Sequence, residues 1–95
     1  MESFKIGQVV MTSGVNESTQ IDSEFMDFVT KCFMRFLNCD WGDMCDEDKE
    51  MNDLALKNGD DRIMASYNIP NDSEKLWIIT EWDHSVTTIL FASEY

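Results

Sequence analysis

Acidic side chains able to bind a cation or a basic surface are concentrated in one short segment. Positions 39–53, CDWGDMCDEDKEMND, contain seven carboxylates and a single lysine. The carboxylates are Asp40, Asp43, Asp46, Glu47, Asp48, Glu50 and Asp53. Such a segment can stay solvated, can hold a metal ion, or can bind a basic surface that normally accepts nucleic acid.

The spacing of these residues does not favour a metal site. The acidic segment lacks the alternating ligands, central glycine and distal glutamate of a calcium-binding loop. Cys32, Cys39 and Cys45 have none of the paired short spacings of a zinc site, and only His84 could supply a fourth ligand. Four scattered glycines cannot form a phosphate-binding loop. We therefore expect neither a metal nor any other cofactor.

The single histidine, His84, lies between Asp83 and Ser85 in the stretch EWDHSVTT. A Ser-His-Asp triad is defined by geometry and is usually assembled from distant segments, so closeness in sequence is weak support for one. The same three residue types favour tight turns, because they bond to their own backbone. We predict a polar turn here and no enzyme activity.

Charge is the unusual feature of the composition. The chain has 95 residues, enough for one domain over 1–95, and a net charge of −12. This charge opposes direct binding to nucleic acid or to an anionic membrane and favours a basic partner, although it also suits simple solubility. No apolar run is long enough to span a membrane, and the start MESFKIGQVV lacks the features of a signal peptide. These two absences, together with an odd number of cysteines (three), predict a cytoplasmic location.

Four short segments have the composition of β-strands. The first is Ile6–Thr12, and Gly14 with Asn16 predicts a turn after it. The other three are RIMASYNI, KLWIITEW and VTTILF, in the last third of the chain. Only short polar connections separate these three, so we expect an antiparallel meander with the first strand at one edge.

Two helices are predicted between the first strand and the meander. The first begins at Asp22 or Ser23, either of which can cap it, and ends at Asn38. Its apolar residues recur every three or four positions, which predicts a core-facing side. They are Phe25, Phe28, Val29, Cys32, Phe33 and Phe36. Cys32 is therefore expected in the core, and Cys39 and Cys45 half-buried near the helix ends.

The second helix is predicted to begin near Met44 or Cys45 and to end at Asn58-Gly59. It has only a narrow apolar side, formed by Met51, Leu54 and Ala55, with Leu56 as a further candidate. These elements predict a two-layer α+β domain of the order β-α-α-β-β-β. An antiparallel sheet carries the helix pair on one face.

The spacing of acids on the second helix resembles that of a nucleic-acid backbone. Glu47 and Glu50 are three positions apart, or roughly 4.5 Å along a helix axis. That is of the same order as the phosphate rise of ~3.4 Å along one DNA strand. A solvated helix stabilised by its dipole is the ordinary alternative. Glu81, Trp82 and Asp83 are expected to form a second contact patch, since exposed aromatics beside acids are good interface anchors.

Three blocks of the sequence resemble one family over nearly the whole chain. They are F-x-x-GQVV-x-T-x-GV (Phe4–Val15), DWGD-x-x-x-EDK-x-x-ND-x-AL-x-NG (Asp40–Gly59) and LWIITEWD-x-SVTTILF-x-SEY (Leu76–Tyr95). The chain is similar to small proteins encoded on bacterial plasmids, phages and integrative elements, often labelled plasmid-related proteins. It departs from them at His84, where the family more often has arginine, and at Asn38-Cys39.

The resemblance implies no enzyme chemistry and no cofactor, but it implies a genomic setting in which mobile elements must survive host defences. Small acidic proteins from that setting include anti-restriction and anti-CRISPR proteins. We therefore hypothesise an inhibitor of a defence nuclease, specifically a Cas9-type CRISPR effector, which holds nucleic acid in positively charged channels. The alternative hypothesis is a protein-binding or regulatory module without a nuclease target, compatible with a homodimer formed through a free strand edge.

Overall fold

A computed structural model of the chain describes residues 5–59 and 61–95. It contains three α-helices, one four-stranded sheet and a terminal 3₁₀ turn, and it confirms the α+β class. In chain order the elements are β1 (Gln8–Met11), α1 (Ser13–Ile21), α2 (Ser23–Leu37), α3 (Asp46–Asn58), β2 (Ile63–Asn68), β3 (Lys75–Thr80), β4 (Val86–Phe91) and a 3₁₀ turn (Ala92–Glu94).

The sheet has the strand order β1-β4-β3-β2. The last three strands form the predicted antiparallel meander, and β1 occupies one edge of the sheet, as predicted; its neighbour there is β4. The expectation of a wholly antiparallel sheet is wrong, because β1 pairs with β4 in parallel, with Gln8 opposite Val86. Along the chain, all three helices come between β1 and the meander. No tight turn therefore forces β1 to run antiparallel to its neighbour.

Helix α1 was not predicted, and it occupies the stretch where Gly14 and Asn16 indicated a turn. Thr12 caps it by accepting a hydrogen bond from the backbone N–H of Val15 at 3.4 Å. The Val15 side chain is completely buried. Burial of this one residue and the cap stabilise a segment whose serine, threonine and asparagine are weak helix formers.

Helix α2 supplies much of the core. Asp22 is its N-cap and accepts hydrogen bonds from two backbone N–H groups, and Asn38 ends it, both as predicted. Val29, Cys32 and Phe36 are buried against the sheet. Burial raises the pKa of the Cys32 thiol to about 11, so this cysteine stays protonated. The expectation that Cys45 is half-buried is wrong, because it is exposed.

The central strand β3 is covered on both faces. Leu76 and Ile78 are completely buried on the side of the helices. Ile79 is also buried on the opposite side, where the Trp77 ring lies 5.3 Å from the ring of Tyr95. The apolar residues on both sides of this strand therefore reflect its central position in the sheet.

Candidate partner-binding surface

Helix α3 carries most of the acidic segment, and its own sequence explains its ends. Acidic residues fill the first turn, where the helix dipole is positive, and no cap side chain bonds there. The helix ends at Gly59, which has a left-handed φ of 73° and donates its N–H to Ala55 O at 2.8 Å. That geometry is the usual glycine C-terminal cap.

The attachment of α3 to the sheet depends on an asparagine. The Asn52 side chain accepts a hydrogen bond from the backbone N–H of Met64 at 3.2 Å and donates one to the Met64 carbonyl at 2.7 Å. Met64 lies on β2, an outer strand of the sheet, so these two bonds replace a missing neighbouring strand.

The segment before α3 continues this cover along β2. Ser66 donates its backbone N–H to Trp41 O at 3.3 Å and accepts a bond from Asp43 N at 2.7 Å. Gly42 lies between them with φ 83°, and a Cβ at this position would be 2.3 Å from Ser66 O. Only glycine fits so close to the strand, which explains the Trp41-Gly42 pair.

Three of the seven carboxylates in the acidic segment stabilise this arrangement. Asp43 Oδ2 accepts the backbone N–H of Asn68 at 2.9 Å, which extends the cover on β2. Asp53 Oδ1 accepts a hydrogen bond from the indole Nε1 of the buried Trp41 at 2.9 Å. A buried indole N–H needs such an acceptor. The third carboxylate is that of Asp40.

Asp40 forms an ion pair with Arg35. The guanidinium donates two hydrogen bonds to this carboxylate, at 2.8 and 3.2 Å, and Gly42 N donates a third at 3.1 Å. The hydrogen bond from Arg35 holds the pKa of Asp40 below its usual value. Within residues 5–59 and 61–95 this is the only pair of opposite charges within salt-bridge distance.

The other four carboxylates point to solvent. Asp46, Glu47, Asp48 and Glu50 occupy the first turns of α3, and all four are exposed. They form no salt bridge with the described residues. The acidic segment thus divides into a structural group and a free group, and the free group stays available to a partner.

The outward side of α3 also carries apolar residues. Met51 is 62% exposed and Leu54 is 54% exposed. The predicted apolar side of the helix is therefore not its buried side at these two positions. Asn52 and Ala55 are the buried residues of the helix, because the bonds from Asn52 to β2 fix its rotation. Glu47, Glu50, Met51 and Leu54 follow one another at helical spacing, so they share one exposed side.

The second predicted patch lies toward the start of β2, away from the acidic first turn of α3. Glu81, Trp82 and Asp83 follow β3, whose last residue, Thr80, is opposite Ile63 at the start of β2. Helix α3 ends near that start, whereas its acidic first turn follows the loop that contacts Asn68, at the far end of β2. The two patches therefore lie toward opposite ends of β2. Trp82 is 64% exposed.

The residues around His84 form a turn, as predicted. Ser85 donates its backbone N–H and its hydroxyl to Asp83 Oδ1, at 3.1 and 2.7 Å. These bonds lower the pKa of Asp83. His84 has a left-handed φ of 57°, and its backbone N–H donates to Glu81 O at 2.8 Å. The hydroxyl of Ser85 thus donates directly to the Asp83 carboxylate, as in a turn. In a catalytic triad the serine hydroxyl would instead bond to the histidine, and the histidine to the aspartate.

The described part of the chain contains no group of three or more His, Cys, Asp or Glu side chains placed to hold a metal ion. None of its helices is both long enough and apolar enough to cross a membrane. Comparisons with protein-family models, curated proteins and solved structures returned no match to this chain.

Two features of this surface were missed from the sequence. The exposure of Met51 and Leu54 depends on the rotation of α3, which Asn52 fixes through contacts with a distant strand. The structural use of Asp53 had a detectable signal, since a tryptophan expected in the core needs an acceptor for its N–H. Nothing in the sequence identified Asp53 as that acceptor among seven neighbouring acids.

Proposed function

We propose that this protein inhibits a defence nuclease that binds nucleic acid, specifically a Cas9-type RNA-guided effector, through the outward side of α3. The observation that carries the proposal is the free group of carboxylates at Asp46–Glu50, exposed and without a salt bridge in the described chain. On a chain of net charge −12, these acids favour binding to a positively charged channel.

The apolar residues on the same side favour a protein as the partner. Met51 and Leu54 lie next to Glu47 and Glu50 and are more than half exposed. Exposed apolar groups within an acidic rim can insert into hollows of a basic protein surface, where a few such anchors provide most of the binding energy. Acids at the rim then speed the encounter and align the two surfaces.

The choice of nuclease rests on the resemblance to proteins of mobile elements. Effectors of the Cas9 type bind a guide–target duplex in a basic channel and read a short DNA motif with arginines. Both features offer cations to the free carboxylates. The patch at Glu81–Asp83 is a separate candidate contact, because the fold separates it from the first turn of α3.

The first test adds the purified protein to a guide-loaded nuclease of this type and measures target-DNA binding and cleavage at low and high salt. We expect DNA binding to be lost at low salt and partly restored at high salt, because salt screens exposed charges. Blocked cleavage with intact DNA binding would mean inhibition without competition for DNA. No effect on either reaction would contradict the choice of nuclease and favour the alternative, a protein-binding module.

The decisive variant combines Asp46→Lys, Glu47→Lys and Glu50→Lys. It should abolish inhibition, because the outward side of α3 would then repel a basic channel. A matched control reverses Glu17, Glu24 and Asp27, three exposed acids on α1 and α2, and changes the net charge equally. Inhibition should survive in the control. Equal losses in both triple variants would show that net charge alone matters, and the site assignment to α3 would be wrong.

A further inference from the structure

The two edges of the sheet are treated differently by the fold. Strand β2 is covered through five hydrogen bonds that its backbone forms with Trp41, Asp43 and Asn52. Strand β1, at the opposite edge, has no strand, helix or loop of the described residues bonded along its outer side. Proteins usually cover, shorten or charge such an edge, because its free N–H and C=O groups can pair with another chain.

The backbone groups that point outward from β1 can be identified. Gln8 N donates to Ser85 O and Thr12 N donates to Ile89 O, at 3.0 and 3.1 Å, so alternate residues from Gln8 to Thr12 bond to β4. In a parallel pair the residues between them direct both backbone groups away from the neighbour. Val9 and Met11 therefore present two N–H and two C=O groups at the open edge.

The side chains at this edge are apolar and partly exposed. Val9, Val10 and Met11 are 41%, 36% and 37% exposed. On the helix side of the sheet, Val9 and Met11 border an apolar groove that also includes Met26 and Phe33 of α2. A strand added at this edge would place its own side chains over the groove and shield it from water.

Local charge indicates which partner fits. No carboxylate occurs from Lys5 to Ser13, in a chain with nineteen acidic residues. A basic partner such as the one proposed for α3 is not attracted here. Along Val9–Met11 no charged side chain opposes a second copy of this chain, and the carboxylate of Glu94, which accepts the Thr12 hydroxyl at 2.8 Å, lies just beyond the strand. Charge thus separates the two surfaces: α3 suits a basic partner, and β1 suits a copy of the same chain.

We propose that two copies of this protein pair through their β1 strands, antiparallel about a two-fold axis at Val10, to form one continuous eight-stranded sheet. Val9 of one copy lies opposite Met11 of the other, and each such pair exchanges two hydrogen bonds, four in all. Val10 faces Val10 of the other copy across the axis. This inference is independent of the nuclease proposal, because it uses a different surface.

The register can be tested by cross-linking. In this arrangement the two Val10 residues form a non-hydrogen-bonded pair with Cα atoms roughly 4.5 Å apart, a distance that suits a disulfide. The experiment uses Val10→Cys in a Cys45→Ser background, which removes the exposed native cysteine. Mild oxidation should convert most of this variant to a covalent dimer.

The matched control is Gln8→Cys in the same background. Gln8 lies on the same face of the same strand, but four residue steps, ~13 Å, would separate it from its symmetry mate. It should not cross-link. Equal cross-linking at both positions would indicate random collision and overturn the register.

Association itself is measured by sedimentation from micromolar to millimolar protein, at low and high salt. We expect the dimer fraction to rise with protein concentration and also with salt, because salt screens the repulsion between two chains of charge −12. Val9→Pro should give a folded monomer, since it removes an outward N–H and leaves the bonds from β1 to β4 intact. If the unmodified protein is a monomer at every concentration, the proposal is overturned. The open edge of β1 would then be a binding site for a strand of another protein.

Discussion

Helix α3 has two sides that carry similar residues and make different contacts. On its attached side, Asn52 and Asp53 hold β2 and Trp41 through hydrogen bonds. On its free side, Glu47 and Glu50 are exposed and form no salt bridge with the described residues. Polar residues adjacent in sequence thus differ in what they contact. Composition alone therefore gives the charge of a surface and does not tell which charges are available to a partner.

The largest expected effect on stability comes from Asn52→Ala. This change removes two hydrogen bonds and leaves the Met64 N–H and C=O without their partner at the sheet edge. We expect the free energy of unfolding to fall by about 2–3 kcal/mol, measured by urea denaturation. The control on the free side is Glu50→Ala, which should change it by less than about 0.5 kcal/mol. Similar values for the two variants would contradict the division of α3 into an attached and a free side.

A smaller loss is expected from Asp53→Ala, because it removes one acceptor from the Trp41 indole. The free energy of unfolding should fall by about 1–2 kcal/mol. Asp53→Asn keeps an oxygen acceptor and should lose less than half of that. The pair of variants separates the hydrogen bond from the charge, and inhibition should survive in Asp53→Asn. If Asp53→Asn costs as much as Asp53→Ala, the negative charge and not the acceptor is what stabilises this contact.

The smallest effect concerns pH and the Asp40–Arg35 pair. The pKa of Asp40 is lowered in the folded protein by the hydrogen bond from Arg35. A carboxyl with a lowered folded pKa stabilises the protein above its unfolded pKa and loses that contribution as pH falls through the folded value. Its side chain is 50% exposed, so the contribution is below about 1 kcal/mol.

The measurement compares the free energy of unfolding of the parent and Asp40→Asn across pH. The difference should be present at neutral pH and shrink as the pH falls below 3.8, the ordinary value for this carboxyl. In the control, Glu47→Gln, the difference in free energy of unfolding from the parent should not shrink in this way with pH, because Glu47 forms no salt bridge with Arg35. A constant difference between parent and Asp40→Asn down to low pH would mean that the loss is not due to the ionised pair.

Much of the fold was predictable because local patterns determine it. The three meander strands alternate apolar and polar residues or carry β-branched residues, and turn residues separate them. Asp22 begins a helix and Gly59 ends one, as their residue types suggest. Helix α1 was missed because its residues are weak helix formers, and burial of Val15, which depends on tertiary packing, stabilises it. The parallel pairing of β1 was missed for a similar reason, since no connecting turn defines it.

The negative charge of the candidate site was predictable from the sequence, but its geometry was not. The sequence indicated ten acidic or aromatic contact residues, and the structure shows that Asp40, Asp43 and Asp53 are engaged within the fold. Which acids are engaged depends on contacts with β2 and Trp41, and no local pattern encodes these contacts. The same rotation of α3 turns Met51 outward.

The parallel pairing of β1 also bears on the order in which the chain folds. Strands β2 to β4 are joined by short loops, so their contacts form with little loss of chain entropy. Closing β1 onto β4 joins distant parts of the sequence: the Thr87 hydroxyl donates to Ile6 O, 81 positions away. We expect the meander to form first and β1 to dock last. The edge proposed for self-association would then exist only on a finished domain, which keeps incomplete chains from pairing through it.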